Sequence, residues 1–282
     1  EITTRLVGSE MCIRDRKKTD IMTPAGFVLG AALIGYGIVS GGPFSIFIDI
    51  PSIFICVGGS LSALFITYTM DEIKEMFGSL GNAFKESSAS QKDIIVQFSN
   101  LSQRARKDGL LSLEEDISNL EDPFLKKGMQ MVVDGIEPET IKEILELDIY
   151  ETENRGMNVA GMYSAWGGYA PGFGMIGTLI GLVQMMQNLN DIQSIAVGMG
   201  VALLTTFYGS FLANYFCNPI GANLKRQCAL ETGTRTMMLE GILAIQSGVN
   251  PRIVEEKLLT YLSAKERLEY INSNTENTEG VA

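Results

Sequence analysis

The feature that most constrains this chain is a 69-residue stretch, Gly156 to Leu224, that carries one formal charge, at Asp191. A helix crossing the hydrocarbon core of a bilayer needs about 20 apolar residues, so this stretch can hold two spans and a tight turn. A second stretch, Ile21 to Met70, repeats the pattern with one charge at Asp49 and a turn signal at Ser40–Pro43. The sequence therefore predicts an all-α membrane protein with four transmembrane helices in two hairpins. A soluble protein with two buried hairpins is disfavoured, because buried soluble helices rarely run this long without a polar face.

The basic residues indicate the orientation in the membrane. All 22 Lys and Arg lie outside the apolar stretches: five before the first, ten between the two and seven after the second. Two hairpins place these three segments on one side, which the positive-inside rule assigns to the cytoplasm together with both termini. The segment 71–166 is acidic, with 19 acids against ten bases, which disfavours a nucleic-acid partner because phosphate binding depends on Lys and Arg.

The domain boundaries follow from where charge returns along the chain. Residues 1–16 show neither helical nor strand periodicity and lack the apolar stretch of a signal peptide, so we interpret them as a non-native leader with the natural start near Lys17. A genuine disordered tail is the alternative, and no function is assigned to the segment. The expected units are a first hairpin over 17–70 with spans at about 21–39 and 51–70, a cytoplasmic helical domain over 71–166, a second hairpin over 167–218 with spans at about 167–188 and 195–218, cytoplasmic helices over 219–271, and a disordered tail over 272–282.

Several kinds of chemistry are missing from the chain. It contains no histidine, which removes the usual general base and the commonest metal ligand. No acid or base lies within a predicted span, although proton or cation transporters usually need a titratable group at depth. An intramembrane enzyme, which would need a catalytic dyad or a metal site, is therefore disfavoured. A purely structural assembly subunit stays open.

Hydroxyl groups lie at the membrane centre instead of charges. Thr178 falls about 10 Å inward of Pro171, and Thr205 and Thr206 fall about 20 Å before Pro219 along the fourth span. All three threonines therefore lie near the midplane, where they could line a path for an ion. Taken alone, these residues more commonly bond carbonyl groups of their own or a neighbouring helix.

The two prolines lie at matching depths near the cytoplasmic side of spans three and four. Proline removes a backbone donor and permits bending, so Pro171 and Pro219 could act as hinges. The simpler interpretation is that Pro171 occupies the first turn of a helix and Pro219 ends one.

A cytoplasmic basic run, Arg104 to Lys107, precedes the acidic run Glu114 to Asp116 across a glycine break. Opposite charges on one exposed surface suit electrostatic recognition of a partner. A solvated charge run without a function is the alternative. We also interpret Ser112 to Glu115 as a capping box that begins a helix.

Four ordered motifs resemble the MotA/PomA family of flagellar stator proteins, over about residues 17–270. They are Phe47 to Ser52 with Gly58–Gly59 in the first hairpin, Ala105 to Glu114 in the cytoplasmic domain, Ala170 to Leu182 in the third span, and Val201 to Gly209 followed by Asn218–Ile220 in the fourth.

The resemblance implies an ion-driven torque generator in the bacterial inner membrane. Several copies of such a subunit, understood to be five, surround two copies of a single-span partner of the MotB/PomB type. The partner's aspartate would bind the ion, and glycine-rich faces of this chain would offer its helices an uncharged surface. No cofactor is implied beyond the transported H⁺ or Na⁺.

The family roles carry over by motif. Thr178 and Thr206, with Thr205 beside them, would line the ion path. Pro171 and Pro219 would couple ion passage to movement of the cytoplasmic domain. Charged contacts to the rotor protein FliG would come from Arg106 and Glu114.

The nearest alternative is an ExbB/TolQ-type ion-driven energiser of envelope transport. Those proteins resemble three-span chains, whereas the Ile21–Met70 hairpin gives this chain four. The Arg106/Glu114 motif also favours the stator. The choice between proton and sodium stays open.

Overall fold

A computed structural model describes residues 22–81, 90–187 and 189–279, and for 273–279 it describes the backbone alone. All regular structure in these ranges is helical, and the leader predicted over 1–16 lies outside them. Four helical stretches are long and apolar enough to cross a membrane, which confirms the predicted two hairpins: Met22–Gly41, Phe44–Thr67, Pro138–Gln187 and Ile192–Gln246.

The first hairpin has an irregular second half. Its elements are α1 (Met22–Gly41), a 3₁₀ turn (Phe44–Phe47), α2 (Ile50–Ile53), a π turn (Phe54–Gly58) and α3 (Gly59–Thr67). Asp49 caps α2 by accepting a hydrogen bond from the Ser52 amide at 2.9 Å, and Pro51 occupies the first turn. Asp49 therefore works as a helix cap in the outer turn.

The second span ends at Thr67 rather than at the predicted residue 70. Tyr68 has an extended backbone, and a new helix, α4 (Met70–Ser79), begins directly after it. Thr69 and Glu72 form a capping box, with the Thr69 amide donating to Glu72 at 2.8 Å. The local capping signal therefore ends the span before its apolar run is complete.

The third span belongs to one 50-residue helix, α8 (Pro138–Gln187), about 75 Å long. It passes without a break through the boundary expected at residue 167. Pro171 lies inside it, so its assignment to a first turn is wrong. A continuous helix therefore connects the third span directly to the helical domain that the sequence predicts to be cytoplasmic.

The fourth span is similarly continuous. Helix α9 (Ile192–Phe211), capped by Asp191, runs into a π turn (Leu212–Cys217) and on into α10 (Asn218–Gln246). The assignment of Pro219 as a helix stop is wrong, because it lies in the first turn of α10 while the helical run continues past it. The π turn directly before Pro219 has i→i+5 hydrogen bonds, and this change of spacing accommodates a residue that has no amide hydrogen to donate.

The helices outside the spans, which the sequence predicts to be cytoplasmic, share one core, although the sequence placed them in two segments. They are α5 (Gln91–Asp108), a 3₁₀ turn (Leu110–Leu113), α6 (Glu114–Ser118), α7 (Pro123–Val133), α11 (Pro251–Leu259) and α12 (Ala264–Glu279), with the lower parts of α8 and α10. Phe98, Met129, Leu145, Ile242 and Leu258 are fully buried in this core. The chain segments before and after the second hairpin therefore form one domain.

Two local predictions in this domain differ from the structure. Ser112 forms no capping box, since its hydroxyl donates back to the Gly109 carbonyl at 2.7 Å and α6 begins only at Glu114. Helix α12 includes residues 272–279, for which a disordered tail was predicted. A capping box between Ser263 and Glu266 begins this helix and favours its continuation into the polar sequence.

Candidate functional site

Helices α8 and α9 pack along a seam of small residues. A Cβ on Gly181 would lie 2.5 Å from the Gly198 carbonyl oxygen, and one on Gly174 would lie 2.9 Å from the Thr205 carbonyl oxygen. The two backbones therefore approach closer than any side chain allows. These seam glycines pack within the chain, and the uncharged glycine surface expected for partner helices stays a prediction for other glycines of the spans.

The seam brings two of the predicted threonines together. The Thr178 and Thr206 hydroxyl oxygens lie 2.6 Å apart, within hydrogen-bonding distance. Thr178 also lies 3.1 Å from the carbonyl oxygens of Gly174 and Ala202, and Thr206 lies 3.1 Å from the same Ala202 carbonyl. Four oxygen atoms from two helices therefore converge on one point.

The hydrogen inventory of this cluster leaves oxygen lone pairs free. Each hydroxyl has one proton and two acceptor lone pairs, whereas a carbonyl only accepts. Thr178 and Thr206 therefore supply two protons for four oxygens, and at most one proton is spent between the hydroxyls themselves. Such a cluster can accept a proton donor or contribute oxygen ligands to a hard cation.

Thr205 lies apart from this cluster. Its side chain is fully buried, and its hydroxyl bonds to carbonyls of its own helix, Val201 at 2.9 Å and Ala202 at 3.2 Å. A Cβ on Gly177 would lie 2.4 Å from the Thr205 methyl carbon. Thr205 therefore fills the seam, as the simpler interpretation of the threonines has it.

The threonine pair lies on an exposed, apolar surface of the second hairpin. Met175 and Leu179 on α8 are 66% and 62% exposed, and Met199 and Leu203 on α9 are 50% and 68% exposed. These side chains lie within two helical turns of the hydroxyls, on their side of the hairpin. At least half of each of these residues is left uncovered by the described residues, so in a membrane they are open to lipid or another helix.

The described residues of the spans bring no carboxylate to the threonine pair. Between residues 22–67 and 156–224 the acids are Asp49 and Asp191, both in the turns that the sequence predicts to face outward. Asp49 is bonded to Ser52 and Asp191 to the amides of Gln193 and Ser194, so both act as helix caps. Neither acid of these two stretches therefore reaches the pair.

The two prolines are brought to adjacent places. Pro171 cannot donate to the Gly167 carbonyl one turn earlier, and a Cβ on Gly167 would lie 2.4 Å from the Asn218 side-chain oxygen. Asn218 directly precedes Pro219, which follows the π turn. The weakened points of α8 and of the α9–α10 run therefore lie side by side, a geometry suited to concerted bending.

Arg106 and Glu114 are both exposed at the tip of the cytoplasmic domain. Arg106 lies in the last turn of α5 and Glu114 is the first residue of α6. Neither makes a hydrogen bond or an ion pair with the residues that the structure describes. Arg104, by contrast, pairs with Asp116 and links the two helices, and this bond raises the pKa of the guanidinium.

Within the described ranges no group of three His, Cys, Asp or Glu side chains is placed to hold a metal ion.

The sequence analysis missed two residues that connect the hairpins. The Trp166 indole donates to Ser60 at 3.0 Å, and Tyr208 contacts the outer turn of the first hairpin. Tyr208 belongs to the quoted motif of the fourth span, and that motif was the only signal for it.

Comparison with known proteins agrees with this geometry. Residues 116–237 match the MotA/TolQ/ExbB proton channel family, and residues 25–109 match the motility protein A N-terminal family. The second match covers the first hairpin and favours a stator over the ExbB/TolQ alternative.

The matches to individual relatives span most of this chain and nearly the whole length of each relative. Motility protein A of Borreliella burgdorferi is 41% identical over 86% of this chain and 93% of its own, and chemotaxis protein PomA of Vibrio alginolyticus is 37% identical over 88% and 97%. The flagellar MotAB stator complex from Bacillus subtilis contains a chain of similar structure, with a TM-score of 0.82 and 32% identity over 88% of this chain and 98% of that one. The chain therefore belongs to the MotA/PomA family of flagellar stator subunits, within the MotA/TolQ/ExbB proton channel family.

Proposed function

We propose that this stator subunit forms an ion-conducting torque generator with a single-span partner of the MotB/PomB type, whose aspartate meets the Thr178–Thr206 pair. The observation that carries the proposal is the pair itself, with hydroxyls 2.6 Å apart on an open apolar surface to which the described residues bring no carboxylate. The solved relative is part of a MotAB stator complex, which supports a partner of this kind.

The transported ion is H⁺ or Na⁺. The partner's carboxylate would bind it, and the lone pairs of Thr178 and Thr206 would complete its ligands or relay its proton. Moving a unit charge through 100 mV releases about 2.3 kcal/mol, enough to bias a rotation made of small steps. Thr205, buried in the seam, would hold α8 and α9 together behind the path.

The assembly is proposed to be a pentamer of this chain around two partner chains, with both termini in the cytoplasm. The open apolar surface of the second hairpin supports an inward-facing wall for partner helices. The exposed apolar side chains of α1, of which none is buried, suit the lipid side.

The two prolines and the exposed charges of Arg106 and Glu114 would convert ion passage into torque. Bending at the adjacent Pro171 and Pro219 sites would tilt the continuous α8 and α10 and so move the cytoplasmic core they enter. Arg106 and Glu114, exposed and without partners among the described residues, would then act on complementary charges of the rotor protein FliG.

The test of ion conduction is flux into liposomes. The purified chain with its partner should conduct, and the chain alone should not. Thr178→Ala and Thr206→Ala should each reduce flux strongly, whereas Thr236→Ala should not, because Thr236 bonds only a carbonyl of its own helix, far from the pair. Cation flux through the chain alone would overturn the proposal, as would normal flux in both pair variants.

The ion and the torque steps have their own tests. Swimming speed against external sodium at fixed pH identifies the ion, since a sodium-driven motor stops when sodium is withdrawn. Arg106→Glu and Glu114→Lys should stop rotation while leaving ion flux intact, and Arg252→Glu, another exposed cytoplasmic site, is the control. Pro171→Ala and Pro219→Ala should likewise separate torque from flux, and unchanged torque in both would exclude the hinge.

A further inference from the structure

The outer turn of the first hairpin is fastened to the fourth span by one side chain. The Tyr208 hydroxyl donates to the Phe47 carbonyl at 2.6 Å and accepts from the Asp49 amide at 3.1 Å. The Phe47 ring also packs edge-on against Phe207, with ring centroids 5.8 Å apart. Two consecutive residues of α9 therefore hold a turn that the proposed function leaves without a role.

The turn that receives Tyr208 is itself fixed. The Asp49 carboxylate accepts from the amide and from the hydroxyl of Ser52, whose side chain is fully buried, and Pro51 restricts the backbone between them. Both backbone groups bonded by the phenol are thus held by local structure. Tyr208 is anchored to a rigid point rather than to a loose loop.

The anchor lies two residues from the ion path. Successive helical residues point about 100° apart, so Thr206 faces Thr178 while Tyr208 faces the first hairpin. One residue later, Gly209 packs so closely that a Cβ there would lie 2.7 Å from the Ala170 carbonyl. A rotation of α9 by only 20° would move a side-chain oxygen by about 2 Å, enough to break the hydroxyl contact.

We propose that Tyr208 is a positioning residue, which fixes the rotation of α9 and thereby sets the Thr206 hydroxyl against Thr178. This inference rests on the proposed role of Thr206 in the ion path. The outer turn Phe47 to Ser52 would then hold α9 in place through its hydrogen bonds to the Tyr208 phenol, and so hold the ion path.

The same helical run contains a matched control. Tyr215 also donates its phenol hydrogen bond to a backbone carbonyl of the first hairpin, that of Phe27 on α1. It lies seven residues farther along, about 10 Å from Tyr208 and within the π turn. Tyr215→Phe removes a comparable bond without a direct connection to Thr206.

The experiment measures the speed contributed by single stators. Cells lacking their own stator express this chain with its partner, a bead is tethered to one flagellum, and each speed step reports one engaged complex. Tyr208→Phe and Tyr215→Phe are compared with the wild type while Na⁺ is varied at fixed pH and pH is varied at fixed Na⁺. The step size does not depend on how much protein folds, so a lower yield does not obscure the result.

We expect Tyr208→Phe to raise the concentration of the driving ion needed for half-maximal step size by about threefold, the usual strength of an interhelical hydrogen bond in a membrane. Tyr215→Phe should leave it unchanged. Equal ion dependence in the two variants would overturn the proposal, as would fewer steps of normal size or a Tyr208→Phe protein that never engages.

Thr206→Ala separates this proposal from the proposed function. If Thr206→Ala leaves motility unchanged, the role of Thr206 in the ion path is refuted. If Thr206→Ala stops the motor while Tyr208→Phe has no effect, only the positioning role of Tyr208 is refuted.

Discussion

A single added methyl group at Gly181 should separate the two helices that form the candidate ion path. A Cβ at this position would lie 2.5 Å from the Gly198 carbonyl oxygen and 2.8 Å from the Ala202 amide nitrogen. Both neighbours are backbone atoms, so no side chain can rotate away. Ordinary contact begins at 3.4 Å, and α8 and α9 must therefore move apart by about 0.9 Å.

The consequence for the site follows from its position. Gly181 lies one turn from Thr178, and Ala202 lies one turn from Thr206. A separation of this size would stretch the hydroxyl contact from 2.6 Å to about 3.5 Å, beyond a normal O–H···O bond. Overpacking of this kind costs about 1–3 kcal/mol, and loss of that energy from the conducting geometry would slow ion flux by roughly five- to 150-fold.

The assay is ion flux in liposomes with the purified complex of this chain and its partner, comparing Gly181→Ala with Gly161→Ala. The second variant adds the same methyl group to the same helix, outside the span and away from the proposed partner surface, and no atom of the described residues lies within 4 Å of the added Cβ. It should conduct normally, since alanine also favours helix over glycine by up to about 1 kcal/mol. Equal flux in the two variants, with partner retained in both, would refute the reasoning from close backbone contact.

Three further outcomes are expected. Asp122→Ala, which removes the cap bonded to the Phe124 amide at 2.8 Å, should lower the free energy of unfolding by about 1 kcal/mol in denaturant titrations, and an unchanged midpoint would contradict the cap. Trp166→Phe should cost about 1–3 kcal/mol, because it removes the donor to the buried Ser60 hydroxyl; the thermal midpoint checks this, and no loss would exclude the bond. The hydrogen bonds from Thr69 hold the pKa of Glu72 below its ordinary value of 4.5, so their contribution is complete above that pH and is lost as pH falls below it. The difference in thermal midpoint between wild type and Glu72→Gln should therefore be present at neutral pH and vanish in acid, and a difference that persists in acid would contradict this assignment.

Local signals in the sequence were sufficient for the number of spans but not for their ends. The apolar runs predicted four helices, and the structure contains them. The second span stops at Thr67 because a capping box begins a new helix, which hydropathy does not register. The simpler of the two interpretations placed Pro171 and Pro219 at helix ends, yet both lie inside continuous helical runs, because each proline removes one hydrogen bond while packing stabilises the rest of the helix.

The candidate site shows the same division. Depth along each span, a property of sequence distance alone, placed three threonines near one level. It could not separate Thr205 from Thr206, which differ by one residue and about 100° around the helix. Only the packing of α9 on α8 shows that Thr205 fills the seam and that Thr206 meets Thr178.

By itself, the sequence determined that this chain forms four apolar helices in two hairpins with no charge at their centre, because hydrophobic length and charge are properties of single segments. The tertiary structure alone decided which groups meet: hydroxyls 28 residues apart at Thr178 and Thr206, and a phenol and a carbonyl 161 residues apart at Tyr208 and Phe47. Those contacts depend on the rotation and register of one helix against another. Close glycine contacts along the seam set the register, and in our proposal Tyr208 fixes the rotation of α9, so no single segment contains that information.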